Sequence, residues 1–173
     1  MCGLLAFVCA PAGTDTAGSA AGSSQPTTTV ASPAAQARLL KLLPAGYPQN
    51  VCTQTPPSGG AIAEVTCGRN VDTDGPPSAT YALFADASAL HQSFDSTVQS
   101  TTIVNCPGRI QSPGAWHRTA TPDKTAGTLL CGMRQGSPVL AWTNERNLVI
   151  GSLRTERSTP TLEQYYTWWS SHS

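Results

Sequence analysis

Apolar and polar residues change their spacing repeatedly along this chain, and each change marks an element. Ser32 sets a hydroxyl before Pro33, and the run AAQARLLKLL follows until Pro44 stops it, predicting a short amphipathic helix. In AIAEVTC, Ala61, Ala63, Val65 and Cys67 alternate with Ile62, Glu64 and Thr66. That is the period-two pattern of a strand with one buried face, and it turns Cys67 inward. The turn-rich VDTDGPPS then leads to ATYALFA as an antiparallel neighbour. Asp86 caps a helix, DASALHQSFDSTVQS, whose Leu90, Phe94 and Val98 recur every fourth residue as one stripe. Beyond it, TTIVNC, AWHRT, GTLLCGMR, PVLAWT and NLVIGSLR are short apolar runs separated by Pro-Gly, Ser-Pro-Gly, Gly-Ser-Pro and Asn-Glu-Arg-Asn turns, which read as an antiparallel meander. Thr159 and Pro160 open a last helix, in which Leu162, Tyr165, Tyr166 and Trp169 fall at i, i+3, i+4 and i+7.

This order predicts one α+β domain over residues 32–173: a single antiparallel sheet of about five to six strands, with helices packed on one face and the other face partly solvated. A chain of 173 residues with 39% hydrophobic content suits one core. Cys52, Cys67, Cys106 and Cys131 lie inside the domain as disulfide candidates. Three pairings are open, and sequence does not choose among them. Joining Cys52 to Cys67 would tie the loop after the first helix to the first strand, and joining Cys106 to Cys131 would tie the second helix's exit to a central strand. Zinc is the rival reading, but zinc sites usually bring a close pair such as C-x-x-C, and these four are far apart. Bridged cysteines point to an oxidising compartment.

Charge narrows the partners. Ten basic and ten acidic residues cancel, and Arg146, Arg154 and Arg157 alternate with Glu145, Glu156 and Glu163, so no basic face follows a phosphate backbone and nucleic acid is not an expected partner. Only 12% of residues are charged, a surface of Ser, Thr, Gln and Asn that suits an exported protein. The N-terminus agrees with export. Leu4 to Ala10 is far shorter than the roughly 20 apolar residues of a membrane span but approaches a signal-peptide core, so residues 1–12 read as a signal-peptide remnant or a lipoprotein signal. No Lys or Arg precedes it, which suggests a start placed too late; a frayed terminus with a chance apolar cluster is the alternative. Cys9, ahead of an Ala/Gly/Ser/Thr tract, is the candidate for lipidation, although Val8 before it fits a lipoprotein signal poorly. Residues 13–31 bury almost nothing and read as a flexible linker. Membrane association is expected only through such an anchor.

Few residues offer chemistry. In NVDTDG, Asn70, Asp72, Asp74 and Gly75 match the first half of a calcium loop, but the twelfth position is Tyr81 instead of Glu, Pro76 and Pro77 interrupt the run, and the flanks read as strands. A polar hairpin turn is the better account, so no metal or other cofactor is expected. His91 sits beside a buried helical stripe, His117 in a short strand and His172 at the chain's end, without the i, i+4 spacing of a zinc helix. G-x-S-x-G, G-x-x-x-x-G-K-[ST] and G-x-G-x-x-G are all absent. Among Trp116, Trp142, Trp168 and Trp169, the adjacent pair Trp168 and Trp169 is not expected to point inward together, leaving one of them as a candidate ligand or partner contact.

The strings YALFADASALHQSFDS, CPG, SPGAW, GTLLCG and VLAWTNERNLVIG together resemble a domain of mycobacterial and related actinobacterial proteins, the extracytoplasmic portion attached to some of their membrane serine/threonine protein kinases and also found in exported proteins and lipoproteins. The resemblance spans roughly residues 36 to 155. It implies a fold and an exported location, and carries no catalytic residue with it. No kinase Gly-rich loop, H-R-D or D-F-G is present, so the chain itself is not a kinase. The expectation is therefore a non-catalytic sensor or accessory module binding an unspecified envelope ligand or protein. Two other readings are an exported hydrolase-like enzyme, in which a cleft would join His91 or His117 to Asp72, Asp74, Asp86 or Asp95, and a calcium-stabilised structural protein.

Overall fold

The structure, a computed structural model, describes residues 31–155 and 159–173. The expected signal segment 1–12, Cys9 and all but the last residue of the expected linker 13–31 lie outside the described residues. The elements run α1 (Pro33–Leu40), β1 (Cys52–Thr55), β2 (Ala63–Cys67), β3 (Ala79–Leu83), α2 (Ala87–Gln99), β4 (Thr102–Ile103), β5 (Gly114–Arg118), β6 (Thr121–Arg134), β7 (Ser137–Asn144), β8 (Val149–Arg154) and α3 (Leu162–His172). Side-chain caps start each helix. Ser32 Oγ accepts from Ala35 N at 3.1 Å, Asp86 Oδ1 from Ala89 N at 2.9 Å, and Thr161 forms a reciprocal capping box with Gln164.

The α+β class holds, with one sheet of eight strands in the order β1-β2-β3-β8-β7-β6-β4 and with β5 also pairing β6, all antiparallel. This exceeds the five to six strands expected. The strand with no counterpart among the apolar runs is β1: Cys-Thr-Gln-Thr has no apolar alternation, because it is a half-exposed edge held by the register Cys52↔Cys67. At the other edge, TTIVNC yields only the two-residue β4, and β5 and β4 share one side of the long β6.

Helices on one face is a second expectation that needs correction. Cys67, Tyr81, Leu140, Trp142 and Leu153 pack with Leu39 of α1 and with Tyr165, Trp168 and Trp169 of α3. The opposite face presents Phe84, Leu130, Ala141 and Ile150 to Leu90 and Phe94 of α2. The reason lies in β7, where Pro138 through Thr143 are all buried. A strand that is apolar on both pleats needs cover on both sides.

Two disulfides form, Cys52–Cys67 and Cys106–Cys131, the two pairings that tie the loop after α1 and the exit of α2 into the sheet. On the α1/α3 face an aromatic row carries the core: the Tyr81 and Trp142 centroids are 6.0 Å apart and edge-on, and Trp116 meets Trp169 at 5.4 Å. Gly151 lies between Tyr81 and Trp142 in register, and a Cβ there would come within 2.3 Å of the Trp142 ring. Gly151→Ala is therefore expected to cost about 1–3 kcal/mol through overpacking. Replacing Cys52 and Cys67 together by Ala, which opens a loop with a sequence separation of 15, should cost on the order of 3 kcal/mol. Urea unfolding under oxidising conditions checks both, as lowered midpoints.

Candidate functional site

The helix α2 is too short to cover its whole face of the sheet. Pairing Thr66↔Thr80, Thr80↔Ser152 and Ser152↔Ala141 forms one cross-strand row on that face, apolar beneath α2 at Ala141 and hydroxylic beyond it. One row further out, Arg154 lies opposite Val139, and beyond that Arg134 lies opposite Ser137. These strand ends floor a concavity of about 1100 Å³, open to solvent, whose wall is the β2–β3 connection with Arg69, Asp72 and Asp74, closed at one end by Pro160 and Gln164.

The wall is the NVDTDG turn, and its polar groups are already engaged. Asn70 is buried: its Nδ2 donates to Ala45 O and its Oδ1 accepts from Asp72 N, both at 2.9 Å. Asp72 Oδ2 lies 2.9 Å from His172 Nε2, and Asp74 Oδ1 accepts from Gln164 Nε2 at 3.1 Å, so each carboxylate holds one end of α3. Gly75 has no room for a side chain, since a Cβ would come within 2.7 Å of Asn70 O. Tyr81, at the position where a calcium loop would need Glu, is buried in β3 with its hydroxyl 2.9 Å from that of Tyr47. Among the described residues, no group of three or more His, Cys, Asp or Glu is placed to hold a metal ion.

His91 and His117 do not assemble a base and nucleophile, and although Ser171 Oγ lies 2.9 Å from His172 Nδ1, that hydroxyl donates to Trp168 O at 2.8 Å. His91 Nε2 meets Glu145 Oε2 at 2.9 Å, and the Thr143 hydroxyl donates to the other Glu145 oxygen at 2.8 Å. The carboxylate thus sits between hydroxyl and imidazole, whereas activation of a nucleophile needs the imidazole beside the hydroxyl. His117 is exposed on β5. No hydrogen bond or ion pair joins His91 or His117 to Asp72, Asp74, Asp86 or Asp95 among the described residues; Asp86 is the α2 cap, and Asp95 is exposed on α2.

Trp168 and Trp169 are both buried, at 1% and 5% exposure, which corrects the expectation that one is free for a ligand or partner. Adjacent residues are about 100° apart on a helix, and the apolar stripe of α3 is that wide. Trp169 enters the aromatic row, while Trp168 stacks on His172 with centroids 4.5 Å apart.

Arg69, Arg134 and Arg154 were not singled out from sequence. The usable signal is that Thr66, already assigned to the outward pleat of its strand, begins a polar row that Thr80 and Ser152 continue in the neighbouring strands, with Arg154 one row further out on the same pleat. Comparison with family models, with curated proteins and with solved structures finds no match to this chain.

Burial pushes the Tyr47 hydroxyl up to about 12 and Tyr165 likewise to about 12, and it raises Tyr81 well above the ordinary tyrosine value. Raised values in the fold mean that the neutral phenols stabilise it fully below the unfolded value of about 10, and that this contribution is lost as pH climbs toward 12. Absorbance titration should accordingly show these three tyrosines ionising late and together with unfolding. Asp72→Asn should lower stability by no more than about 1 kcal/mol, because the His172 contact is partly solvated, and added chelator should leave the melting temperature of the native protein unchanged.

Proposed function

We propose that this chain is an exported, non-catalytic cell-envelope domain that works by binding, as a sensor or accessory module, and that the concavity on the α2 face is where it binds. The observation that carries this reading is the uncovered hydroxyl and arginine surface at the ends of β2, β3, β8 and β7, beside central strands that helices cover on both faces. A concavity with convergent polar groups can orient a ligand, and this one is more polar than the usual apolar pocket. Two disulfides support an oxidising, extracytoplasmic setting, and no described helix is long and apolar enough to cross a membrane. An N-terminal lipid on Cys9 would supply the membrane tether. The Thr143 hydroxyl meets the Glu145 carboxylate instead of the His91 ring, and the Ser171 hydroxyl beside His172 Nδ1 donates to Trp168 O at 2.8 Å, which weighs against hydrolysis at either pair.

Two measurements test this reading. Intact mass of the protein from its native envelope fraction, with and without reduction, should show that Cys52, Cys67, Cys106 and Cys131 take up alkylating reagent only after reduction; freely labelling thiols would remove the exported setting. Equilibrium dialysis against a small-molecule extract of the same envelope should enrich a compound on the wild-type protein and not on Ser152→Trp, which fills the concavity. Equal enrichment on both, or none on either, would remove the binding role.

A further inference from the structure

Resting on that binding role, we infer that the concavity takes an oxyanion, a phosphate or carboxylate group carried on a polar ligand, and that Arg154 and Arg69 are the groups that recognise it. The inference comes from which charges around the concavity are already used. Asp72 and Asp74 are committed to His172 and Gln164. Arg134 is committed to the end of α2, its Nε donating to Ser100 O at 3.2 Å and its Nη2 to the Ser100 hydroxyl. The side chains of Arg69 and Arg154 make no hydrogen bond or ion pair with any described residue, and both line the concavity. Three arginines against two aspartates, one of them paired with His172, leave the described lining net positive in a chain whose formal net charge is zero, so it is not the by-product of a basic protein.

Geometry adds donors to that charge. Arg154 stands at the end of β8, two residues past Ser152 and therefore on the same pleat, with Thr80 paired to Ser152 from β3. A guanidinium fork with flanking hydroxyls matches the oxygens of a phosphate or carboxylate, and the planar fork can engage two of them together. Among the described residues no aromatic ring lines the concavity, so none of them offers a stacking surface for a base or a sugar face. Polar contact and charge are what the surface provides.

Backbone amide shifts in the intact protein, followed by NMR, test the assignment with inorganic phosphate, with citrate, with glucose as a neutral control and with sodium chloride at matched ionic strength. Saturating shifts at Thr80, Ser152 and Arg154 are expected with phosphate or citrate, and the two arms separate a phosphoryl from a carboxylate ligand. Arg154→Gln should weaken the response by on the order of tenfold or more, with Arg154→Lys recovering only part of it. Both substituted positions are exposed, and preserved dispersion of the remaining amides confirms that the variants fold. Identical shifts with sodium chloride, shifts confined to amides outside the concavity, or titrations unchanged in both Arg154→Gln and Arg69→Gln would overturn the inference. If the anions fail while Ser152→Trp still abolishes enrichment from the envelope extract, the charge assignment falls and the binding site stands.

Discussion

Everything in this fold follows from the burial of β7 on both of its faces. Leu140 and Trp142 point into the layer shared with α1 and α3, while Ala141 points into the layer under α2. Burying apolar area at about 25 cal/mol per Å² favours covering each of these side chains, and a single helical layer cannot reach both pleats. α2 therefore crosses to the far face, yet its thirteen residues amount to about 20 Å of helix, less than the width of the sheet it lies on. Where it stops, the side chains on that face change from Ile150 and Ala141 to Thr80, Ser152 and Arg154. The concavity is the part of a two-sided sheet that the second layer does not reach.

The two ends of that concavity are built by different economies. At the α3 end, carboxylates from one loop hold a helix whose other contacts are apolar, and the stacked Trp168 and His172 carry the Asp72 contact into the core. At the α2 end, Arg134 satisfies the last turn of the helix through Ser100, a cation placed where helix carbonyls lack partners. Structural tasks thus consume both acids and one of the three arginines, and what is left over defines the chemistry of the surface.

Local periodicity made much of this legible in the sequence. The alternation in β2, the four-residue stripe of α2 and the i, i+3, i+4 spacing of α3 all correspond to elements of the structure, because each depends on one buried face. Periodicity fails where burial is two-sided or absent. PVLAWT was recognisable as apolar but gave no hint that α2 would lie opposite α3, and CTQT gave no strand signal because β1 buries neither pleat fully. The concavity was illegible for a related reason. Thr66, Thr80, Ser152 and Arg154 are unremarkable outward residues in three separate strands, and only cross-strand register brings them together on one patch of the sheet.

The disulfides have a consequence set by where they fall. Cys52–Cys67 fastens β1, one border of the sheet, and Cys106–Cys131 fastens the segment beside β4, the other border, while the central strands β3, β8 and β7 carry none. Border strands as short as these have little burial of their own to keep them in place. Were the first bridge reduced and β1 released, β2 would become the border, with the unpaired backbone of Ala-Glu-Val-Thr-Cys ready to template another chain. The bridges thus bear on solubility as well as stability, since each helps to hold a short border strand over a backbone edge that could otherwise pair with another chain.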